Sequence, residues 1–270
     1  MTPVGSAVFA DLLRAIEPYL DDVVFVGGWV HALYVLEAEG SGARVIRTAD
    51  IDVTLAPSLK AGDRPELIDL LKGGGFEVES FDADSGFKIS KDSIDVDLLA
   101  DAPSPRRPVE IAGQSGLRVF GYPHQALLRD NARRMLIGPD MDNALPNAQI
   151  LVPVLPAYVT GKLLSSSERS NRVKRAKDLA YLSDLMSRDS LRTEIVTDLP
   201  GLLAEYSGEA RLAQRWLKSA ITDEALIREV AGQVIEASGF GIEDDSTVRA
   251  QVKARLARLL AEGFSGDATL

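Results

Sequence analysis

The chain has 270 residues, 46% apolar and 26% charged, a composition that supports buried cores in two domains and excludes a chain dominated by disorder. It contains no cysteine, which excludes disulfides, thiolate metal sites and a cysteine nucleophile and leaves any metal to oxygen ligands or to His31 and His124. The formal net charge of −10 opposes broad attraction to phosphate backbones, although "ERSNRVKRAK" (168–177) sets Arg169, Arg172, Lys174, Arg175 and Lys177 against one acid, and "RDNARR" adds Arg129, Arg133 and Arg134.

In chain order, "MTPVGSAVFADLLRAIEPYL" has no basic leader, and Asp11, Arg14 and Glu17 interrupt its apolar positions, so it reads as an amphipathic helix and not as a signal peptide. "DVVFVG" (22–27) is a strand that turns at Gly27-Gly28 into the helix "WVHALYVLEAE". "IRTADIDVTLAP" (46–57) follows as a strand stopped by Pro57. "RPELIDLLKGGG" (64–75) is a helix with Pro65 near its start and glycines past its end. "FEVES", "GFKIS" and "SIDVDLLA" read as three short strands, "DAPSPRRPVEIAGQSG" (101–116) as a connection, and "LRVFGY" as a further strand. "LKGGGFEV" lacks the Gly-Lys-Ser/Thr ending of a phosphate loop and reads as a turn.

Past "QILVPVLP" the apolar residues recur at three- and four-residue intervals in "AYVTGKLLSSSE", "RVKRAKDLAYLSDLMS", "ALIREVAGQVIEAS" and "TVRAQVKARLARLLAEGF". The expected fold is α+β: a small mixed β-sheet domain with helices on one face (1–156), then a helical domain (157–270). No run reaches the roughly 18 apolar residues of a membrane span, so a cytoplasmic protein without membrane contact is expected.

The chemistry concentrates in "RTADIDVTL". Side chains two apart on a strand share a face, so Asp50 and Asp52 project together, and their mutual repulsion calls for compensation. A divalent cation is one answer, since Mg²⁺ and Mn²⁺ prefer hard oxygen ligands. An edge strand whose carboxylates are solvated or paired with Arg47 is the other. "SIDVDLLAD" repeats the pattern with Asp95 and Asp97, and three carboxylates on neighbouring strands are what two-metal phosphoryl transfer requires. Gly27-Gly28 at a helix start, 22 residues before Asp50, permits close approach of a phosphate to backbone N–H groups.

"VFVGGWVHALY", "RTADIDVTL" and "VDLLAD" together resemble the nucleotidyltransferases of the DNA polymerase β superfamily, and most closely the AbiEii/AbiGii-type toxins, including the MenT group. The resemblance is good over residues 22–100 and moderate over 157–186. It implies NTP as co-substrate and Mg²⁺ or Mn²⁺ held by Asp50, Asp52 and Asp97, with Asp95 as the alternative third carboxylate. It further implies triphosphate contact at Gly27 and Gly28, with Trp29 beside them, and phosphate neutralisation by Lys162 and Lys177. Asp178 would hold a lysine or base contact in place. The Ser or Thr often found after the first glycine is replaced here by Gly28-Trp29, which removes a hydroxyl contact. His31 reads as a structural or surface residue and His124 as a cap or surface residue.

The function expected is transfer of a nucleoside monophosphate to an acceptor hydroxyl. The resemblance implies a tRNA 3′ end as acceptor and a cognate antitoxin as partner; the alternatives are a small cationic acceptor such as an aminoglycoside, which the acidic balance suits, or a catalytically silent binding module.

Overall fold

Val8, Phe9, Leu12 and Leu13 fall on one side of a helix, and α1 (Ser6–Ala15) buries all four. The computed structural model describes residues 5–46, 48, 50–59, 62–80, 87–104, 107–238 and 245–265. The chain divides into two units, Met1–Ala43 with Arg47–Val154, and Arg44–Ile46 with Leu155–Leu270.

In the first unit α1 and a 3₁₀ turn (Glu17–Tyr19) lead into β1 (Val23–Val26), whose four β-branched and aromatic residues are all buried, as a strand covered on both faces requires. There follow α2 (Gly27–Glu39), β2 (Asp50–Leu55), α3 (Leu67–Gly73), β3 (Glu77–Ser80), β4 (Phe87–Lys91), β5 (Ile94–Asp101), β6 (Arg107–Glu110), β7 (Arg118–Tyr122), α4 (Gln125–Asp130), β8 (Ala132–Ile137) and β9 (Ala148–Pro153). The strands form one mixed sheet in the order β3-β4-β5-β2-β1-β9-β8, with β7 against β5 and β6 against β7. β2 runs antiparallel to β1 and parallel to β5. Trp29 stacks on Phe9 at 4.3 Å, and Phe9 meets Phe25 edge-on at 5.3 Å, so an aromatic cluster ties α1, β1 and α2 together. Lys91 donates to the carbonyl of Gly74 (3.0 Å) and pairs with Asp11 (2.7 Å), a hydrogen bond that holds the Asp11 carboxyl below its usual range.

The second unit carries α5 (Leu155–Glu168), α6 (Arg172–Leu185), α7 (Asp189–Glu205), α8 (Ser207–Thr222), α9 (Glu224–Ser238) and α10 (Asp245–Arg258), the last running into a π-helical turn, Leu259–Gly263. Its apolar interior includes Leu163, Leu179, Leu182, Leu217, Ile227 and Val252. Asn171 starts α6 by accepting a 3.1 Å hydrogen bond from the Lys174 amide.

The fold class is the expected one, with nine strands and ten α-helices among the described residues. Details differ. The connection at 101–116 contains β6, which tolerates Pro108 because it pairs with β7 alone. β2 begins at Asp50 and not at Ile46. No described helix is long and apolar enough to cross a membrane.

Candidate functional site

Asp50, Asp52 and Thr54 share one face of β2, while Ile51, Val53 and Leu55 pack into the other. β2 lies inside the sheet between β1 and β5, so the edge-strand explanation of its carboxylates does not apply. Arg47, the partner that explanation invoked, lies outside the described residues. The parallel ladder sets Asp50 beside Asp95 and Asp52 beside Asp97. Adjacent strands lie about 4.8 Å apart, so four carboxylates stand in a two-by-two array on one face.

Asp95 and Asp97 therefore project to the same side, and their surroundings distinguish them. Asp95 is exposed and has Ser90 of β4 as its other neighbour, whereas Asp97 is half-buried. β5 pairs with β4 as far as Val96 and with β7 from Leu99, so Asp97 stands in the interval where the strand changes neighbours. Thr48, itself buried, donates to Asp50 Oδ1 at 2.9 Å and fixes that carboxylate at the head of the strand.

The glycine turn meets the same carboxylates. β1 ends with Val26 in register with Asp52, and Gly27 then adopts φ +72° as α2 begins. A Cβ on Gly27 would collide with the Asp52 carboxylate, lying 2.6 Å from its Cγ and 2.9 Å from its Cβ. Only glycine lets the helix start pass this close, and at that φ it also avoids the strain of a left-handed L-residue. Gly27→Ala is accordingly expected to cost at least about 1–2 kcal/mol from backbone strain alone. Thermal melting should show it as a fall of several degrees; an unchanged melt would mean that the turn relaxes without touching Asp52.

In the helical unit, the packing of α5 on α6 joins three further candidates. Lys162 is 7% exposed, and its ammonium lies 3.0 Å from Asp178 Oδ1 and 5.1 Å from the centre of the Tyr181 ring. Asp178, 3% exposed, also accepts from Arg169 Nε at 2.8 Å. The half-buried Lys177 approaches the same Tyr181 ring at 6.0 Å. Sequence reasoning anticipated a lysine held by Asp178 but missed the second cation, Arg169, and the aromatic floor.

Besides Lys177, the three arginines of the basic run are engaged within the unit. Arg169 binds Asp178, Arg172 pairs with Asp223 and Glu229, and Arg175 lies 5.2 Å over the Trp216 ring and donates to the Arg169 carbonyl. Trp29 is 1% exposed with one ring face taken by Phe9, so base stacking there would require this core to open. His31 is fully buried within α2, and His124 precedes α4 with φ +65°.

The donor set suits a hard divalent cation, since the array offers only carboxylate oxygens. Among the described residues no three His, Asp or Glu side chains gather closely enough to enclose an ion, so the fit rests on donor chemistry and strand register. A family model described as a nucleotidyltransferase matches residues 6–193. No curated protein and no solved structure matches the chain.

Proposed function

This chain belongs to the nucleotidyltransferase family, and from that premise we propose that it transfers a nucleoside monophosphate from an NTP to an RNA hydroxyl and releases pyrophosphate. The acceptor oxygen forms a bond to the α-phosphorus as the bond to the α–β bridging oxygen breaks, and pyrophosphate leaves with that electron pair. Asp50, Asp52 and Asp97 would hold one or two Mg²⁺ or Mn²⁺ ions, which when bound neutralise triphosphate charge and acidify the acceptor hydroxyl. Asp97 is the carboxylate assigned to receive the acceptor proton. Gly27 and Gly28 present backbone N–H groups to the triphosphate at the start of α2. Lys162 and Lys177 supply cationic charge, and Asp178 fixes the orientation of Lys162.

The observation that supports this reading is the register of Asp50 and Asp52 with Asp95 and Asp97 beside a glycine turn that only glycine can make. The order Gly-Gly, Asp-x-Asp, Val-Asp-Leu-Leu, Lys and Lys-Asp supports the finer assignment, an AbiEii-type toxin acting on a tRNA 3′ end and restrained by an antitoxin. A small cationic acceptor is the second reading, favoured by the exposed Asp95 beside Asp50.

The test is transfer of label from each of four α-³²P NTPs, with Mg²⁺ or Mn²⁺, to total tRNA and to aminoglycosides. Labelled tRNA is expected, and its loss in Asp52→Ala ties it to this site. Labelled aminoglycoside alone would establish the second reading; no label on any acceptor and no nucleotide binding would leave a silent scaffold.

A further inference from the structure

α8 is the most clearly two-faced helix beyond the stretch that the family model matches. Ala213, Leu217 and Ala220 are buried at one-turn intervals. Arg211, Arg215 and Lys218 repeat the same spacing two positions earlier, which is about 200° around a helix of 3.6 residues per turn, and all three are exposed. The eight residues 211–218, "RLAQRWLK", contain no acid in a chain that carries 40 acids against 30 Lys and Arg.

What separates this row from the other basic segments is its lack of internal partners. In α6, Arg172 is held by Asp223 and Glu229. In α10, Arg249 and Arg258 are in one-turn pairs with Asp245 and Glu262, and Lys253 pairs with Glu224. Arg211, Arg215 and Lys218 make no ion pair and no side-chain hydrogen bond among the described residues. An acidic protein places these three cations in a straight row and compensates none of them, which leaves their charge available to an external polyanion.

We propose that the exposed face of α8 binds the phosphodiester backbone of the RNA acceptor through Arg211, Arg215 and Lys218. This takes the RNA class of acceptor from the function proposed above and adds the surface that holds it. The three charges rise along about 10.5 Å of helix axis, a row suited to successive phosphates of one strand. A phosphate backbone is favoured over an acidic protein because Leu212 is the one large apolar side chain exposed on α8 among the described residues, whereas a protein interface needs an apolar centre. Such contacts hold and orient the strand without reading its sequence.

The test is binding of a fluorescein-labelled 20-nucleotide polyuridine and of total tRNA, followed by anisotropy across a salt series. The wild type is compared with R211Q/R215Q/K218Q and with R211K/R215K, after thermal melts show that both variants fold. Losing three phosphate contacts should reduce the slope of log affinity against log salt by about 2 and weaken binding roughly 30-fold near 0.15 M salt. The lysine variant should bind nearly as the wild type does. Equal affinity and slope in the glutamine variant would overturn the proposal. So would wild-type protein that binds neither RNA, or that binds polyglutamate of matched length as tightly, which would make the row a protein-docking surface. Binding of a fluorescent ATP analogue to the wild type reads the nucleotidyltransferase function separately: RNA binding through α8 without nucleotide binding sustains this inference and overturns that reading, and nucleotide binding without RNA binding does the reverse.

Discussion

Asp52→Asn is expected to lower nucleotide transfer by about 10³-fold or more and to leave the melting temperature unchanged or slightly raised. The two effects go in opposite directions for one reason. In the two-by-two array each carboxylate stands beside like charges, so removing one charge without altering shape relieves repulsion in the folded chain. In the proposed reaction the same charge would hold a divalent cation against the phosphates, and a 10³-fold loss corresponds to about 4 kcal/mol of transition-state stabilisation. Asp97→Asn should match it, because Asp97 is half-buried and in register with Asp52. Asp95→Asn should cost less than about tenfold, since its exposed position leaves solvent to screen it. Pyrophosphate release and thermal melting, run together on the three variants, check this. A fully active Asp52→Asn protein would remove the carboxylate array from the chemistry, and a larger loss at Asp95 than at Asp97 would exchange their roles.

Asp178→Ala has the largest expected effect on stability. The substitution leaves the Lys162 ammonium buried against Tyr181 without its anion, and breaking a buried pair in this way costs about 3–5 kcal/mol. Arg169 loses the same partner but is 36% exposed and can turn to water, so the penalty comes chiefly from Lys162. The melting temperature should fall by roughly 6–20 °C, taking about 2–4 °C per kcal/mol for a chain of this size. The double variant K162M/D178L should recover most of that loss, since apolar side chains of similar volume can replace a buried pair at little cost. If the double variant melts no higher than the single one, the loss lies in packing of α5 on α6 and not in an orphaned charge.

The sequence carries the glycine turn, the Asp-x-Asp strand and the helical second half because each depends on local chemistry: a turn residue, a period of two, a period of 3.6. Which strands lie side by side is not local. Asp95 and Asp97 could not be told apart from spacing, because two residues on one strand face share every periodic property; what differs between them is exposure and the change of neighbour along β5. β8 and β9 escaped because Arg133, Arg134 and Gln149 break the apolar alternation that would have marked them, although Met135, Ile137, Ile150 and Val152 are buried in register. α7 escaped because Pro200 interrupts its pattern. Nor does a count of charges in the basic run at 168–177 show that Arg169, Arg172 and Arg175 are engaged within the unit.

The segment Arg44–Ile46 belongs with the helical unit although it lies between α2 and β2, and Arg188 donates to the Arg44 carbonyl at 2.8 Å. The polypeptide thus passes between its two units three times, before Arg44, after Ile46 and at Leu155. A chain that passed once could be severed there into two self-sufficient fragments. Here a fragment ending at residue 154 keeps three residues whose companions have gone, and one starting at 155 lacks them.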